Sequence, residues 1–284
     1  NTGDNKLSAV LANNTGLTSL TKSAAGTWVV SGTNTYTGVT TISGGTLSVA
    51  SLASGAVNSN IGASSNVSGN LVFDGGTLKY TGAAVSSDRL FTLTNNGGTI
   101  DSSGTGALTF TGTGSIAYTG TNARTLTLTG SANGTLSQVL ADNTGATSLS
   151  KSGAGTWTLS ATNTYTGGST ISTGILSIAT DRNLGSVPSA TTANSITLSG
   201  GALQATGAAT LDAKRGITLT LGSGLAATSG NTLTVNGIVD GASALTINGA
   251  GQTGAVTLAG TNTYSGTTTV SAGTLNISNN SGLG

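Results

Sequence analysis

Residues 153–171 read GAGTWTLSATNTYTGGSTI, and nearly the same phrase stands at two other places in the chain. Residues 24–42 read AAGTWVVSGTNTYTGVTTI, and residues 254–270 read GAVTLAGTNTYSGTTTV. A longer match, LSAVLANNTGLTSLTKSAAGTW at 7–28 with LSQVLADNTGATSLSKSGAGTW at 136–157, runs without a gap. Self-similarity at a long period is typical of repeat architectures, so the repeat is considered before any fold is inferred.

The composition excludes several classes of function. The 284 residues include 46 Gly but no His, Cys or Met, and all eight acidic residues are Asp. Only 6% of the residues are charged and the net charge is +1, so the basic surface needed for a nucleic acid is missing. Without His or Cys, a Ser-His-Asp triad, a thiol nucleophile and the usual transition-metal ligands are also missing. We therefore expect no cofactor and no metal.

The local pattern is that of β-strands. Apolar and small polar residues alternate strictly at 27–31, 125–129, 156–160 and 217–221, as in half-buried strands. Thr suits the outer face of a strand, because its branched β-carbon favours the extended backbone. Gly-Gly pairs separate the strands, and no apolar run approaches the roughly 18 residues of a membrane helix. The chain is predicted to be all-β and not membrane-spanning.

The spacing of the repeated Tyr residues indicates how the strands are arranged. Tyr36 and Tyr165 are 129 residues apart, whereas Tyr165 and Tyr264 are only 99 apart, and residues 117–145 supply the strand pair that the third copy lacks. A closed barrel rarely survives the loss of about 30 residues of core, but a solenoid can drop a coil because each coil contacts only its neighbours.

We therefore predict a right-handed parallel β-helix of about 13 coils, the hand being the usual one for parallel crossovers. A coil of roughly 21 residues is assumed in this number. We expect one β-helix over residues 1–284, with repeat units at 7–135 and 136–234 and a partial unit at 235–284. Because neither end of the sequence has an obvious cap, the chain is expected to be an excerpt of a longer array.

The repeated phrase also resembles a known family. The stretch LSKSGAGTWTLSATNTYTGGSTISTGILSIA at 149–179 is similar to the autotransporter-associated β-strand repeat, and the pattern returns at 20–47 and more loosely at 245–275. In the third copy Val256 stands in place of Trp, and three residues are inserted before it. The resemblance implies a secreted passenger segment at a bacterial cell surface, built on a right-handed β-helix. It does not imply an enzymatic activity.

Nine residues at equivalent repeat positions are the candidate site residues. Trp28 and Trp157 could stack on sugars, but Val256 takes their place in the third copy, so we expect them to fill the core. The TNTY[TS]G phrase supplies the other six, which are Asn34, Asn163, Asn262, Tyr36, Tyr165 and Tyr264. We expect each Asn to hold a left-handed corner and bond its own turn, and each Tyr to keep its hydroxyl in water. A repeated binding site is the alternative.

Two further features could carry a function. General acid–base chemistry on glycosides needs two carboxylates within roughly 5–10 Å, and neighbouring coils could bring Asp88 and Asp101 together. The irregular stretches at 51–66 and 180–195 are expected to be loops that leave the same corner of the β-helix. Such loops are where a partner would be recognised, unless they are merely solvated excursions.

Three functions follow from these observations. The first is a non-catalytic, secreted stalk of an adhesin at the bacterial cell surface, with a host-cell, matrix or glycan surface as its partner. The second is a subunit of a self-assembling extracellular filament, whose partners are copies of itself end to end. The third is an enzyme that acts on polysaccharides, which we disfavour because the Asp residues are scattered along the sequence.

Overall fold

The computed structural model describes residues 5–249 and 251–284, which form two compact units that meet in sequence at Thr147 and Ser148. The strands of the first unit are short because Gly-containing turns interrupt the alternating pattern every few residues. They are β1 (Asn5–Leu7), β2 (Leu20–Lys22), β3 (Thr27–Val30), β4 (Thr40–Ile42), β5 (Thr46–Val49), β6 (Leu71–Phe73), β7 (Thr77–Tyr80), β8 (Val85–Ser87), β9 (Thr92–Leu93), β10 (Gly98–Ser102), β11 (Leu108–Phe110), β12 (Ala117–Tyr118), β13 (Arg124–Thr129) and β14 (Gly134–Leu136). A short 3-10 helix covers Ser68–Asn70.

The strands of the second unit follow the same pattern. They are β15 (Thr147–Lys151, which begins one residue before the boundary), β16 (Thr156–Leu159), β17 (Ser169–Ile171), β18 (Ile175–Ile178), β19 (Thr192–Ser199), β20 (Ala202–Ala205), β21 (Ala209–Leu211), β22 (Arg215–Leu221), β23 (Ser223–Ala227), β24 (Thr232–Val235), β25 (Val239–Gly241), β26 (Leu245–Ile247), β27 (Ala255–Leu258), β28 (Thr268–Val270) and β29 (Thr274–Ile277). A second 3-10 helix covers Asp181–Leu184. Among the described residues, no helix is long and apolar enough to cross a bilayer.

Each unit is a right-handed parallel β-solenoid with three ladders of strands, as predicted. In the first unit the ladders run β1-β3-β5-β7-β10-β13, β2-β4-β6-β9-β12 and β8-β11-β14. In the second unit, ladder 1 is β15-β17-β19-β22-β25, ladder 2 is β16-β18-β20-β23-β26-β28, and ladder 3 is β21-β24-β27-β29. Six coils can be counted among the described residues of each unit, against the 13 predicted in all. The coils average about 24 residues instead of 21, because several carry loops.

Parallel stacking in register places like residues in columns. In the first unit Thr27, Thr46, Thr77, Thr99 and Thr127 follow one another along the outer face, one in each coil. Their neighbours in sequence point inward and form apolar columns, because successive side chains of a strand alternate between the two faces. Three inward-facing rings, those of Phe73, Phe91 and Phe110, pack edge to face with centroids 5.1 and 6.0 Å apart. Burial of these columns is the main force that stabilises each unit.

In the second unit the two copies of the repeated phrase occupy different faces. In the copy that begins with β15, strand β16 belongs to ladder 2, and the TNTYTG segment stands where ladder 3 would run. In the next copy β26 belongs to ladder 2 and β27 to ladder 3, so the TNTYSG segment stands where ladder 1 would run. There the Thr263 N–H donates to the carbonyl of Val239 in β25, the last strand of ladder 1, at 2.9 Å. The later copy has therefore advanced by four coils and one face.

Candidate functional site

The candidate site is built on the TNTY[TS]G segments, here called the corners, which cover residues 33–38, 162–167 and 261–266. Each corner stands at a point in the coil where a ladder strand is missing. The local chain therefore cannot satisfy its polar backbone groups by strand pairing alone, although buried N–H and C=O groups need partners. The side chains of the corner supply part of what is missing.

The corner Asn side chains bond to neighbouring coils. The Asn34 Oδ1 accepts a hydrogen bond from the Leu11 N–H at 2.8 Å, and its Nδ2 donates to the Asn60 carbonyl at 2.6 Å. These partners lie in the preceding and following parts of the chain, so one amide clamps two levels of the solenoid. The residue is completely buried and its φ is not positive. The expectation that Asn34 holds a left-handed corner and bonds its own turn is therefore wrong.

The other two corner Asn residues have the same orientation. The Asn262 Oδ1 accepts from the Val239 N–H at 2.8 Å, and its Nδ2 donates to the Gly282 carbonyl at 2.8 Å. The Asn163 Nδ2 donates to the Asn183 carbonyl at 2.6 Å. A carboxamide suits this position because it carries a donor and an acceptor on opposite sides of one planar group.

The corner Tyr hydroxyls are buried, not in water as predicted. Tyr36 is hydrogen-bonded to Thr40 Oγ1, and Tyr165 to Ser169 Oγ, both at 2.7 Å. Tyr264 makes the equivalent contact with the hydroxyl four residues later, also at 2.7 Å. Burial raises the pKa of Tyr36 and of Tyr165 to about 12, although the hydroxyl partner opposes this shift. Each ring fills the inside of its corner, and its hydroxyl ties the corner to the next strand.

The equivalent Trp and Val positions face the interior, but one of them is not covered. Trp157 and Val256 are fully buried. Trp28 pairs with Leu47, which belongs to a buried inward column, yet Trp28 is 41% exposed. Among the residues that the structure describes, the short strand β1 lies on its other side, where Asn5 is its ladder partner. Trp28 therefore stands in an inward-facing column, but the described residues on its β1 side leave it partly uncovered.

A buried Lys precedes the Trp position in the first two copies, with a role that was not predicted from the sequence. The Lys151 Nζ donates to the carbonyls of Ser152, Gly153 and Thr173 at 2.7, 2.8 and 3.0 Å. Lys22 makes the matching set of three contacts. Burial lowers the pKa of Lys151 to about 8, and it lowers the pKa of Lys22 as well. The ammonium group thus satisfies three carbonyls where the chain turns out of the ladder.

The third copy shows what this Lys is needed for. Ile247 occupies the Lys position and is fully buried. The next residue, Asn248, has a φ of 52° and points its amide back into the same place. Its Nδ2 donates to the Gly254 carbonyl at 2.8 Å and to the Ala272 carbonyl at 3.2 Å. Ala272 is the repeat equivalent of Thr173, so two different side chains satisfy the same orphan carbonyl.

The irregular stretches at 51–66 and 180–195 are anchored at their roots by Asn. The Asn60 Oδ1 accepts from the N–H groups of Ala50 and Ser51 at 2.9 and 2.7 Å, and its Nδ2 donates to the Gly32 carbonyl at 2.9 Å. Asn183 makes the matching three bonds. The interpretation of these stretches as merely solvated excursions is therefore wrong for their roots.

A buried Arg from a later coil holds each loop from the other side. The Arg89 Nη2 donates to the Gly62 carbonyl at 2.9 Å, and the Arg215 Nη2 donates to the Gly185 carbonyl at 2.7 Å. The Arg215 Nε also forms an ion pair with Asp181 at 2.7 Å. The sequence did carry a signal for this role: each is an Arg at an equivalent position after the loop, directly behind another charged residue, in a chain with few charges.

The two carboxylates that could have served catalysis are hydrogen-bonded to other residues of the chain. Asp88 accepts from the Gly55 N–H at 2.7 Å and from Asn66 Nδ2 at 3.1 Å. Asp101 accepts a bond from the Ser103 hydroxyl two residues away. Within residues 5–249 and 251–284, no three acidic side chains come together as a metal site would require. The contacts of these two carboxylates are those of structural residues.

Comparison with known proteins places these features in context. The model of the passenger-associated transport repeat matches residues 20–49, 149–178 and 251–277. The chain is also 42% identical over 280 residues to the adhesin BmaC autotransporter of Brucella suis biovar 1 (strain 1330). That match covers 95% of this chain but only 7% of the relative, and no solved structure matches. Three copies of the passenger-associated transport repeat are therefore matched within this chain, and they lie on parallel β-solenoids.

Proposed function

We propose that this segment is a non-catalytic, extracellular stalk within an autotransporter-like adhesin at a bacterial cell surface. It gives the protein length and carries loops towards a partner surface. Two findings support the placement: the passenger repeats themselves, and the similarity to a stretch of an autotransporter adhesin.

The observation that best supports the proposal is that the repeated polar residues bond to the chain itself. The corner Asn bonds neighbouring coils, the Tyr hydroxyl is bonded inside the corner, and the buried Lys is surrounded by backbone carbonyls. A catalytic site would instead present its polar groups to a substrate in a cleft. Here the polar groups that are repeated most regularly support the stacking of coils. The repeats therefore lengthen the solenoid.

An in-frame deletion tests the stalk. Residues 166–264, between equivalent points of the second and third corners, are removed from the full-length surface protein. The deletion joins two matching corners that stand on different faces, so the chain beyond the junction moves round by one face. It removes about four coils, or about 20 Å at the usual strand spacing. We expect export to persist and an immunogold label beyond the segment to lie closer to the cell by about this length. An unchanged label distance would contradict the stalk.

Electron microscopy of the purified segment at two protein concentrations separates this proposal from the filament. Separate particles at both concentrations are the expected result. Long fibres that grow with concentration would instead favour the self-assembling subunit. Release of reducing sugar from polysaccharides by the purified segment would instead favour the polysaccharide-acting enzyme.

A further inference from the structure

A groove of about 470 Å³ lies in the second unit, between the end of the second corner and the loop that follows it. One side is formed by residues 166–168 and the other by residues 186–195. The volume lies within the range of about 300–1,000 Å³ typical of small-molecule sites. The corner contributes Thr166 and Gly167 to the lining, and most of the other lining residues come from the irregular stretch that follows.

The loop side of the groove is held in place by buried polar contacts. Arg215, almost fully buried, donates to the carbonyls of Leu184 and Gly185 at 3.1 and 2.7 Å, directly before the residues of the 180–195 stretch that line the groove. At the far end, the buried Ser195 Oγ donates to the Gly216 carbonyl at 3.0 Å. A groove whose walls are anchored in this way exists before a ligand arrives, which lowers the entropy cost of binding.

The corner side is shaped by a close approach of two backbones. Gly168 has a φ of 80°, which disfavours any residue with a side chain. A Cβ built on it would meet the Ser195 carbonyl oxygen at 3.2 Å. The absence of a side chain therefore lets the corner close the groove beside the loop.

The lining combines small apolar groups with unused hydrogen-bonding groups. Val187, Pro188 and Ala190 supply C–H surface. The Ser189 hydroxyl and the Asn194 carboxamide are exposed and make no hydrogen bond within the part of the chain that the structure describes. Together they offer donors and acceptors in both directions. None of the described residues that line the groove is ionisable.

We propose that this groove binds an uncharged saccharide. A sugar ring has a C–H face that fits against Val187 and Pro188, and hydroxyls that both donate and accept, as Ser189 and Asn194 do. A phosphate, sulfate or carboxylate would find no cation in the lining, and burying an unpaired charge is costly. The inference goes beyond the stalk function, which needs no ligand at this place.

An array of immobilised glycans tests the proposal with the complete chain. The array carries lactose, maltose and N,N′-diacetylchitobiose beside their sialylated or sulfated counterparts. We expect retention on at least one uncharged glycan. Asn194→Ala should weaken it about tenfold, since a buried polar group of the ligand would lose its partner. Ala190→Trp should abolish it by filling the groove.

Arg182→Ala is the matched control. Arg182 lines a separate hollow of about 220 Å³ on the other side of Val187, so its removal should leave binding of the uncharged glycan unchanged. Thermal unfolding followed by circular dichroism verifies that the exposed-loop variants remain folded. The proposal is overturned if no uncharged glycan is retained, if Ala190→Trp binds as well as the parent chain, or if only charged glycans bind. These readouts do not depend on export or on the distance of a label from the cell. They can therefore contradict the saccharide site without contradicting the proposed stalk.

Discussion

The clamp made by the corner Asn allows a quantitative prediction for Asn34→Ala. The substitution removes two hydrogen bonds, to the Leu11 N–H at 2.8 Å and to the Asn60 carbonyl at 2.6 Å. It also leaves both partner groups without a bond. The Asn60 carbonyl lies in a buried residue, whereas Leu11 is half-buried and water can reach part of it.

The expected loss follows from these surroundings. An unsatisfied buried carbonyl costs about 1–3 kcal/mol, and a partly wetted N–H costs about 1 kcal/mol. We therefore expect Asn34→Ala to lower the free energy of unfolding by about 2–4 kcal/mol. Asn58→Ala, at an exposed position on the 51–66 stretch that also carries Asn60, should change it by less than about 0.5 kcal/mol.

Urea unfolding followed by far-ultraviolet circular dichroism measures this difference. The midpoint should fall while the slope of free energy against urea stays the same, because the amount of surface exposed on unfolding is unchanged. If Asn34→Ala and Asn58→Ala are equally stable, the bonds between coils contribute nothing measurable and the clamp is refuted.

Asn34→Asp adds a pH dependence. A carboxylate keeps the bond from Leu11 but faces the Asn60 carbonyl, and burial raises its folded pKa above the unfolded value near 4. This variant should be most stable below about pH 4 and lose stability as pH rises.

Three further outcomes follow from the other buried polar groups. Burial lowers the pKa of Lys151 to about 8, against 10.5 in the unfolded chain, so the unfolded chain binds more protons above pH 8. The stability of the parent chain relative to that of Lys151→Met should therefore rise between about pH 8 and 9.5, and urea midpoints measure this change. Tyr165→Phe should cost about 1–3 kcal/mol by orphaning the Ser169 hydroxyl, and a double-mutant cycle with Ser169→Ala should recover most of the loss. Arg215→Met should cost about 3–5 kcal/mol and expose the 180–195 loop to proteolysis; equal cleavage of both proteins would contradict the anchoring.

The fold could be predicted from the sequence because it depends on local patterns. The alternation of apolar and polar residues at 125–129 and 217–221 predicts strands, and the repeated corner shows the period. The spacing between corners is 30 residues shorter in the second interval than in the first, which indicates a solenoid. The number of coils was overestimated because loops such as 51–66 lengthen some coils, and a loop's length does not show how much of it is strand.

The chemistry of the corner was harder to predict, because it depends on which residues stack. Asn34 was expected to bond its own turn, as Asn does in isolated turns, whereas its partners lie 23 and 26 residues away. The burial of Tyr36 depends on the same stacking. Lys151 was overlooked because a Lys in a polar phrase reads as a surface residue, and only the fold shows three carbonyls converging on it.

The advance of one face per copy in the second unit has a directional consequence. The second corner is followed by the irregular stretch at 180–195, and the second and third corners stand on different sides of the coil, at the positions of ladder 3 and ladder 1. In an array that kept this step, successive stretches would project from the solenoid axis in directions about one third of a turn apart. The direction of the first stretch would return only after three further copies. Partners could therefore reach such an array from any side, and neighbouring stretches would not compete for the same space.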